Sequence, residues 1–80
     1  MSTETRLALQ ALMATNKTTS RAVEKAAAAA RKAGRAANAL PGCDATEQAA
    51  RSAKSAFFEA LKLDQTARKE LAAFRATMEG

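Results

Sequence analysis

The chain has one strong break, and it lies at the midpoint. It reads "ALPGCDATEQ", in which Pro41 cannot continue a helix and Gly42 accepts the left-handed backbone that often ends one. Asp44 and Glu47 then have the spacing of a capping box, which begins a new helix. Both flanking segments consist mostly of good helix formers. The sequence therefore predicts an all-α fold with helix one over about 3–40, a turn over 41–44 and helix two over about 45–78.

Along both segments, small and apolar residues recur in alternating steps of three and four. This is the heptad spacing of a coiled-coil seam, the column of side chains that faces the neighbouring helix. In helix one, the seam positions are Leu9, Leu12, Asn16, Thr19, Val23, Ala26, Ala30, Ala33, Ala37 and Leu40. In helix two, they are Ala50, Ala53, Phe57, Ala60, Asp64, Ala67, Leu71, Phe74 and Met78. Because the turn is short, we expect one antiparallel helical hairpin, an alanine-rich coiled coil, over residues 1–80.

Three of the predicted seam positions are polar: Asn16, Thr19 and Asp64. Folding the chain about its central turn places them at the same height. Such a polar layer can fix the register of two helices at a cost in stability. Two alternatives remain open at this point. Thr19 or Ser20 could cap a new helix after a break in the stretch "TNKTTS", and Asp64 could cap a short third helix.

Alanine also fills columns beside the seam, which makes the small-residue face wider than a two-helix contact requires. We therefore expect a second copy of the chain to pack there, giving a homodimer built as a four-helix bundle. The residues assigned to this self-association are Ala22, Ala29, Ala36, Ala56 and Leu63. The alternative is that alanine, the best helix former, simply fills exposed positions.

Basic residues cover the outer face of helix one, and the formal net charge of the chain is +5. A row of cations on one helix can follow a phosphate backbone. The residues that would do so are Lys25, Arg31, Lys32 and Arg35. The chain has no tyrosine or tryptophan and only three phenylalanines, so no platform for base stacking is visible. Nucleic acid is therefore a possible partner but not the favoured one, and a solvated basic face is the simpler interpretation.

Helix two has a third candidate surface outside the seam. Phe58 and Leu61 lie there among arginines, including Arg68 and Arg75. An aromatic residue and a leucine surrounded by arginine are typical of a protein contact, so these four residues are the predicted partner-binding site. The alternative is that Phe58 and Leu61 complete the core of a bundle.

The composition excludes several kinds of chemistry. The chain has no histidine and one cysteine, Cys43, so neither a Cys–His catalytic pair nor a mixed zinc site can form. We therefore expect no enzymatic activity, no metal and no cofactor. The apolar run "LALQALMA" is too short to span a membrane, so we expect a cytoplasmic protein without a membrane partner.

The predicted architecture resembles that of the Rop family, small plasmid RNA-binding hairpins that dimerise into four-helix bundles. The stretch "CDATEQA" is similar to the acidic turn and cap of that family. This chain departs from the family in lacking aromatic residues on the face that would contact RNA. Type III secretion needle subunits are also similar in length and hairpin form, although their proline-bounded turn is reduced here to Pro41.

Taken together, these patterns predict a small, non-enzymatic protein-binding module that regulates, adapts or inhibits a partner protein, in the manner of a phage-type accessory protein. The first alternative is a Rop-like RNA- or DNA-binding protein that uses the basic face of helix one. The second is a structural subunit that assembles through its alanine face.

Overall fold

Two long helices make up the fold. The computed structural model describes the backbone of residues 2–79 and the side chains of residues 2–78. Helix α1 spans Thr3–Ala39 and helix α2 spans Asp44–Glu79. They pack against each other along their length, and the Cα atoms occupy 59 × 16 × 12 Å. The predicted all-α helical hairpin is confirmed.

The first helix has a capped start and a sharp end. The Oγ of Ser2 accepts a hydrogen bond from the N–H of Thr5 at 3.1 Å, which satisfies one free amide of the first turn. After Ala39 the chain enters a β-turn, in which the N–H of Cys43 donates to the carbonyl of Leu40 at 3.2 Å. Leu40 is therefore exposed in the turn, and its predicted place at the end of the seam is wrong.

The central residues of this turn are Pro41 and Gly42. Gly42 has a φ of 83°, a left-handed conformation that side chains with a Cβ disfavour. A type II turn requires a positive φ at its third position and often has proline at its second, and this turn meets both conditions. The helix break at the midpoint of the sequence is thus a four-residue turn that reverses the direction of the chain.

The second helix begins differently from the prediction. Asp44 is its first residue, and the carbonyl of Cys43 accepts hydrogen bonds from the Thr46 hydroxyl at 3.0 Å and the Glu47 N–H at 3.1 Å. The carboxylates of Asp44 and Glu47 make no capping hydrogen bond among the described residues, so the predicted capping box is wrong. Both acids still lie in the first turn, where negative charge is favourable.

The seam follows the predicted spacing. Every predicted position from Leu9 to Ala37 and from Ala50 to Phe74 is half-buried or buried. Ala67 and Leu71 are the only hydrophobic residues that are fully buried among those described, and Met78 is exposed at the open end. Because eight of these seventeen seam positions are alanine, the two helices share a thin core.

Both helices are continuous, so the alternatives with a break near Thr19 or a third helix after Asp64 are wrong. The hydroxyls near these points do not cap new helices. Those of Thr15 and Thr18 each donate to the carbonyl four residues earlier at 3.0 Å, and Thr66 does the same in α2. Threonine can stay within a helix when its hydroxyl bonds backward in this way.

The two internal glycines should respond oppositely to alanine substitution. Gly42→Ala forces a Cβ into a left-handed conformation and should lower the free energy of unfolding by about 1 kcal/mol. Gly34 lies within α1, and a Cβ built there would meet nothing within 4 Å. Gly34→Ala should therefore raise the free energy of unfolding by about 0.5–1 kcal/mol. Urea unfolding at one fixed protein concentration measures both, and a loss of stability in Gly34→Ala would show that the fold needs this glycine.

Candidate functional site

One hydrogen-bond network joins the two helices at mid-length. Asp64 is only 6% exposed. Its Oδ1 accepts from the Thr19 hydroxyl at 2.8 Å and the Ser20 hydroxyl at 3.0 Å. Its Oδ2 accepts from Nε of Arg68, one turn along α2, at 2.9 Å. We call these four residues the Asp64 network.

The composition of this polar layer differs from the prediction. Thr19 and Asp64 are bonded to each other as expected, but Asn16 does not take part. Its Oδ1 is buried and has no hydrogen-bond partner among the described residues. Ser20 and Arg68 lie beside the seam and complete the layer instead. Arg68, a predicted partner-binding residue, therefore has an intramolecular role as well, although most of its side chain is exposed.

The network favours the ionised form of Asp64. The hydrogen bond from Thr19 is the main cause that lowers the pKa of this carboxyl, and burial opposes it. The bonds from Ser20 and Arg68 lower the pKa further. Because the pKa is lower in the folded than in the unfolded chain, ionisation of Asp64 stabilises the hairpin.

A shallow groove opens beside the seam near the turn. It is lined by Ala30, Arg31 and Gly34 of α1 and by Ala50, Lys54, Phe57 and Phe58 of α2, and we call it the Phe58 groove. Phe57 is a seam residue, whereas the ring of Phe58 is 51% exposed. The two ring centroids are 5.9 Å apart at an interplanar angle of 47°. The groove thus joins small residues, an aromatic surface and two cations.

The other predicted partner-binding residues lie along the same side of α2. Leu61 is half-buried, so the fold already uses part of its apolar surface. Arg75 lines a second groove with Met13, Lys17 and Leu71. Sequence reasoning found Phe58 because it stands outside the seam and placed it on one column of α2 with Lys54, but it missed Gly34 of α1 as a neighbour of that ring. Only the register and rotation of the helices bring them together.

The predicted self-association residues form a second uncovered surface. Ala22, Ala29, Ala36, Ala56 and Leu63 are all exposed, Leu63 at 65%. By heptad position they lie on the side of the seam opposite the Phe58 groove, and we call them the alanine flank. The residues of the nucleic-acid alternative, Lys25, Arg31, Lys32 and Arg35, are exposed as well.

The described residues contain no group of three or more metal-ligating side chains. Cys43 is half-buried, and hydrogen bonds from the backbone and side chain of Thr46 lower the pKa of its thiol. Among the described residues, neither helix is long and apolar enough to cross a membrane.

Comparison with known proteins gives no match. No family model matches the chain, and the searches of curated proteins and of solved structures found none either. What the chain does is therefore inferred from the side chains described above.

Two substitutions separate the charge of Asp64 from its burial. Asp64→Asn should lower the melting temperature. Its amide replaces one accepting carboxylate oxygen by an NH₂ group, which would face a group that itself donates a hydrogen bond. Asp64→Leu should raise it, because an apolar side chain replaces a buried charge in the seam. Two of the three freed donors keep a partner, since the Thr19 hydroxyl lies 2.9 Å from the Asn16 carbonyl and Arg68 is exposed to water. If leucine destabilises more than asparagine, hydrogen bonding outweighs apolar packing at this position.

Asp64→Leu also tests how the stability of the hairpin depends on pH. The stability that Asp64 contributes is complete above its unfolded pKa and is lost as the pH falls below about 4, through its lower folded pKa. Wild-type melting temperature should therefore decrease over this range more steeply than that of Asp64→Leu. Equal slopes would contradict the assigned network.

Proposed function

We propose that this hairpin is a non-enzymatic protein-binding module whose docking surface is centred on Phe58. The observation that carries the proposal is the ring of Phe58, which remains 51% exposed although it touches the seam residue Phe57. Aromatic residues at the centre of a contact supply much of its binding energy. The fold does not use this ring to close its own core.

The surroundings of Phe58 support the same conclusion. Small side chains beside it leave room for a partner, and Arg31 and Lys54 border the groove. An apolar centre with a polar edge is the usual anatomy of a protein interface. Scattered exposed residues such as Leu7 lack such neighbours in any described groove and need no functional explanation.

A module of this kind acts by occupying or bridging its partner. The described residues include no group of three or more metal-ligating side chains, and the hairpin is a narrow rod 59 Å long. Such a rod can cover a site on the partner or hold two partners together. Regulation, adaptation and inhibition are the functions that this mode of action permits.

Removing the Phe58 ring should abolish partner capture without unfolding the hairpin. We choose Phe58→Ala alone, because Leu61 is half-buried and its truncation would also disturb packing. Truncated hot spots cost about 2 kcal/mol or more, roughly thirtyfold in affinity. The matched control is Leu63→Ala, which removes a 65% exposed side chain from the opposite side.

The measurement is a pull-down from a lysate of the source cells, with melting temperatures of all three proteins. Capture by wild type and Leu63→Ala but not by Phe58→Ala is the expected result. Equal capture by Phe58→Ala would exclude this ring as the anchor. A large drop in its melting temperature would place Phe58 in the core.

Self-association through the alanine flank accompanies this proposal. It is supported by the thin core and by five exposed, uncharged residues that lie together. Sedimentation at micromolar concentration should show a dimer of the 8.4 kDa chain. Ala29→Glu should weaken the dimer by placing charge in that contact, while Phe58→Ala should not. A monomer at all concentrations would exclude the dimer, and with it assembly as a structural subunit.

Nucleic-acid binding is the second candidate. Its support is the exposure of Lys25, Lys32 and Arg35, which make no ion pair with any described residue. Binding of RNA or DNA would weaken steeply between low and physiological salt. Salt-sensitive binding that is removed by replacing Arg31, Lys32 and Arg35 with glutamine would favour this function over protein binding.

A further inference from the structure

We propose that the occupant of the Phe58 groove is an acidic amphipathic helix of the partner protein, whose backbone passes close to Gly34. This inference rests on the proposed function and specifies the partner's chemistry. Three features support it. A glycine has no role within the hairpin, two cations form no ion pair with any described residue, and the groove lies between two helices whose backbone groups are already hydrogen-bonded.

Gly34 is the unexplained residue. Glycine within a helix costs about 0.5–1 kcal/mol relative to alanine, and this helix uses alanine nearby at positions 30, 33, 36 and 37. Its backbone is helical, so no positive φ requires glycine, and an added Cβ would meet nothing within 4 Å. The hairpin itself therefore gains nothing from it. The open space lies in the Phe58 groove, where the missing Cβ lets a third backbone come closer.

Arg31 and Lys54 specify the charge of the occupant. Both line the groove, one from each helix. Among the described residues the only ion pair is that of Arg68 with Asp64, so neither cation is neutralised within the hairpin. Carboxylates on either side of an apolar anchor would complement these charges and would disfavour basic partners.

The shape of the groove favours a helix over an extended segment. The groove is bordered by two helices whose backbone groups are already hydrogen-bonded, so it offers no edge to an extended chain. A docked helix satisfies its own backbone and presents apolar side chains at i, i+3, i+4 and i+7. The small residues Ala30, Gly34 and Ala50 allow it to approach within the close range of helix packing.

The probe is a displayed library of helical peptides with leucine at i, i+4 and i+7, in which the flanking positions vary among Glu, Gln and Lys. Selection against the wild-type hairpin at physiological salt should enrich Glu at the flanking positions. Selection against the double variant Arg31→Glu and Lys54→Glu should enrich Lys instead. Enrichment of Gln or Lys by the wild type, or no enrichment, would overturn the proposal.

The enriched peptide then tests where it binds. Gly34→Leu fills the groove and should weaken binding about tenfold or more, equivalent to about 1.4 kcal/mol. Gly34→Ala, which should not impair folding, is expected to weaken binding severalfold. Leu7→Ala, at an exposed residue assigned to no contact, is the control and should bind as the wild type does. Unchanged affinity in both Gly34 variants, or displacement of the peptide by a 20-nucleotide RNA, would overturn the proposal.

Failure of this inference can be told apart from failure of the proposed function. A captured cellular protein that depends on Phe58 but carries no acidic helix at its contact overturns the inference and leaves the module's function standing. Capture that does not depend on Phe58 overturns the proposed function, regardless of which peptides the selection enriches.

Discussion

The hydrogen bonds to Asp64 are the directional contacts on which the rest of the hairpin depends. Thr19 and Ser20 of α1 reach this carboxylate across the seam, and no other side-chain hydrogen bond joins the two helices among the described residues. The alanine contacts between this layer and the turn are alike from one helical turn to the next, so they hold the helices together without choosing a register. One register alone sets Asp64 opposite both hydroxyls, and that register forms the Phe58 groove.

The thin seam explains why so much apolar surface remains outside. Alanine brings the helices close but covers little area, so a hairpin of this kind cannot enclose its large side chains. Phe58 and Leu63 are left on opposite sides, and each is available to another molecule. Stability and surface exposure are thus linked, because the same small residues that narrow the core leave the large apolar side chains uncovered.

Much of the fold could be predicted from the sequence, because the three-four spacing directly determines which residues face the other helix. The errors lie where several hydrogen-bond acceptors compete for one donor. Asp44 and Glu47 have capping-box spacing, yet the Glu47 N–H donates to the carbonyl of Cys43 and not to the Asp44 carboxylate. Ser20 stands outside the seam, and only the rotation of α1 turns it toward Asp64. Arg68 lies one turn along the same helix as Asp64, so this i, i+4 pair could have been found from the sequence. The open space beside Gly34 could not, since the sequence cannot say whether a helical glycine is packed or open.

The central claim is that the fold leaves Phe58 exposed to solvent while it packs the adjacent Phe57 in the seam. Hydroxyl-radical footprinting of the free protein tests this directly, because Phe57 and Phe58 have the same intrinsic reactivity and are adjacent in the chain. We predict that Phe58 is oxidised faster than Phe57, because Phe58 is 51% exposed and Phe57 is half-buried. Equal rates, or faster oxidation of Phe57, would contradict the account.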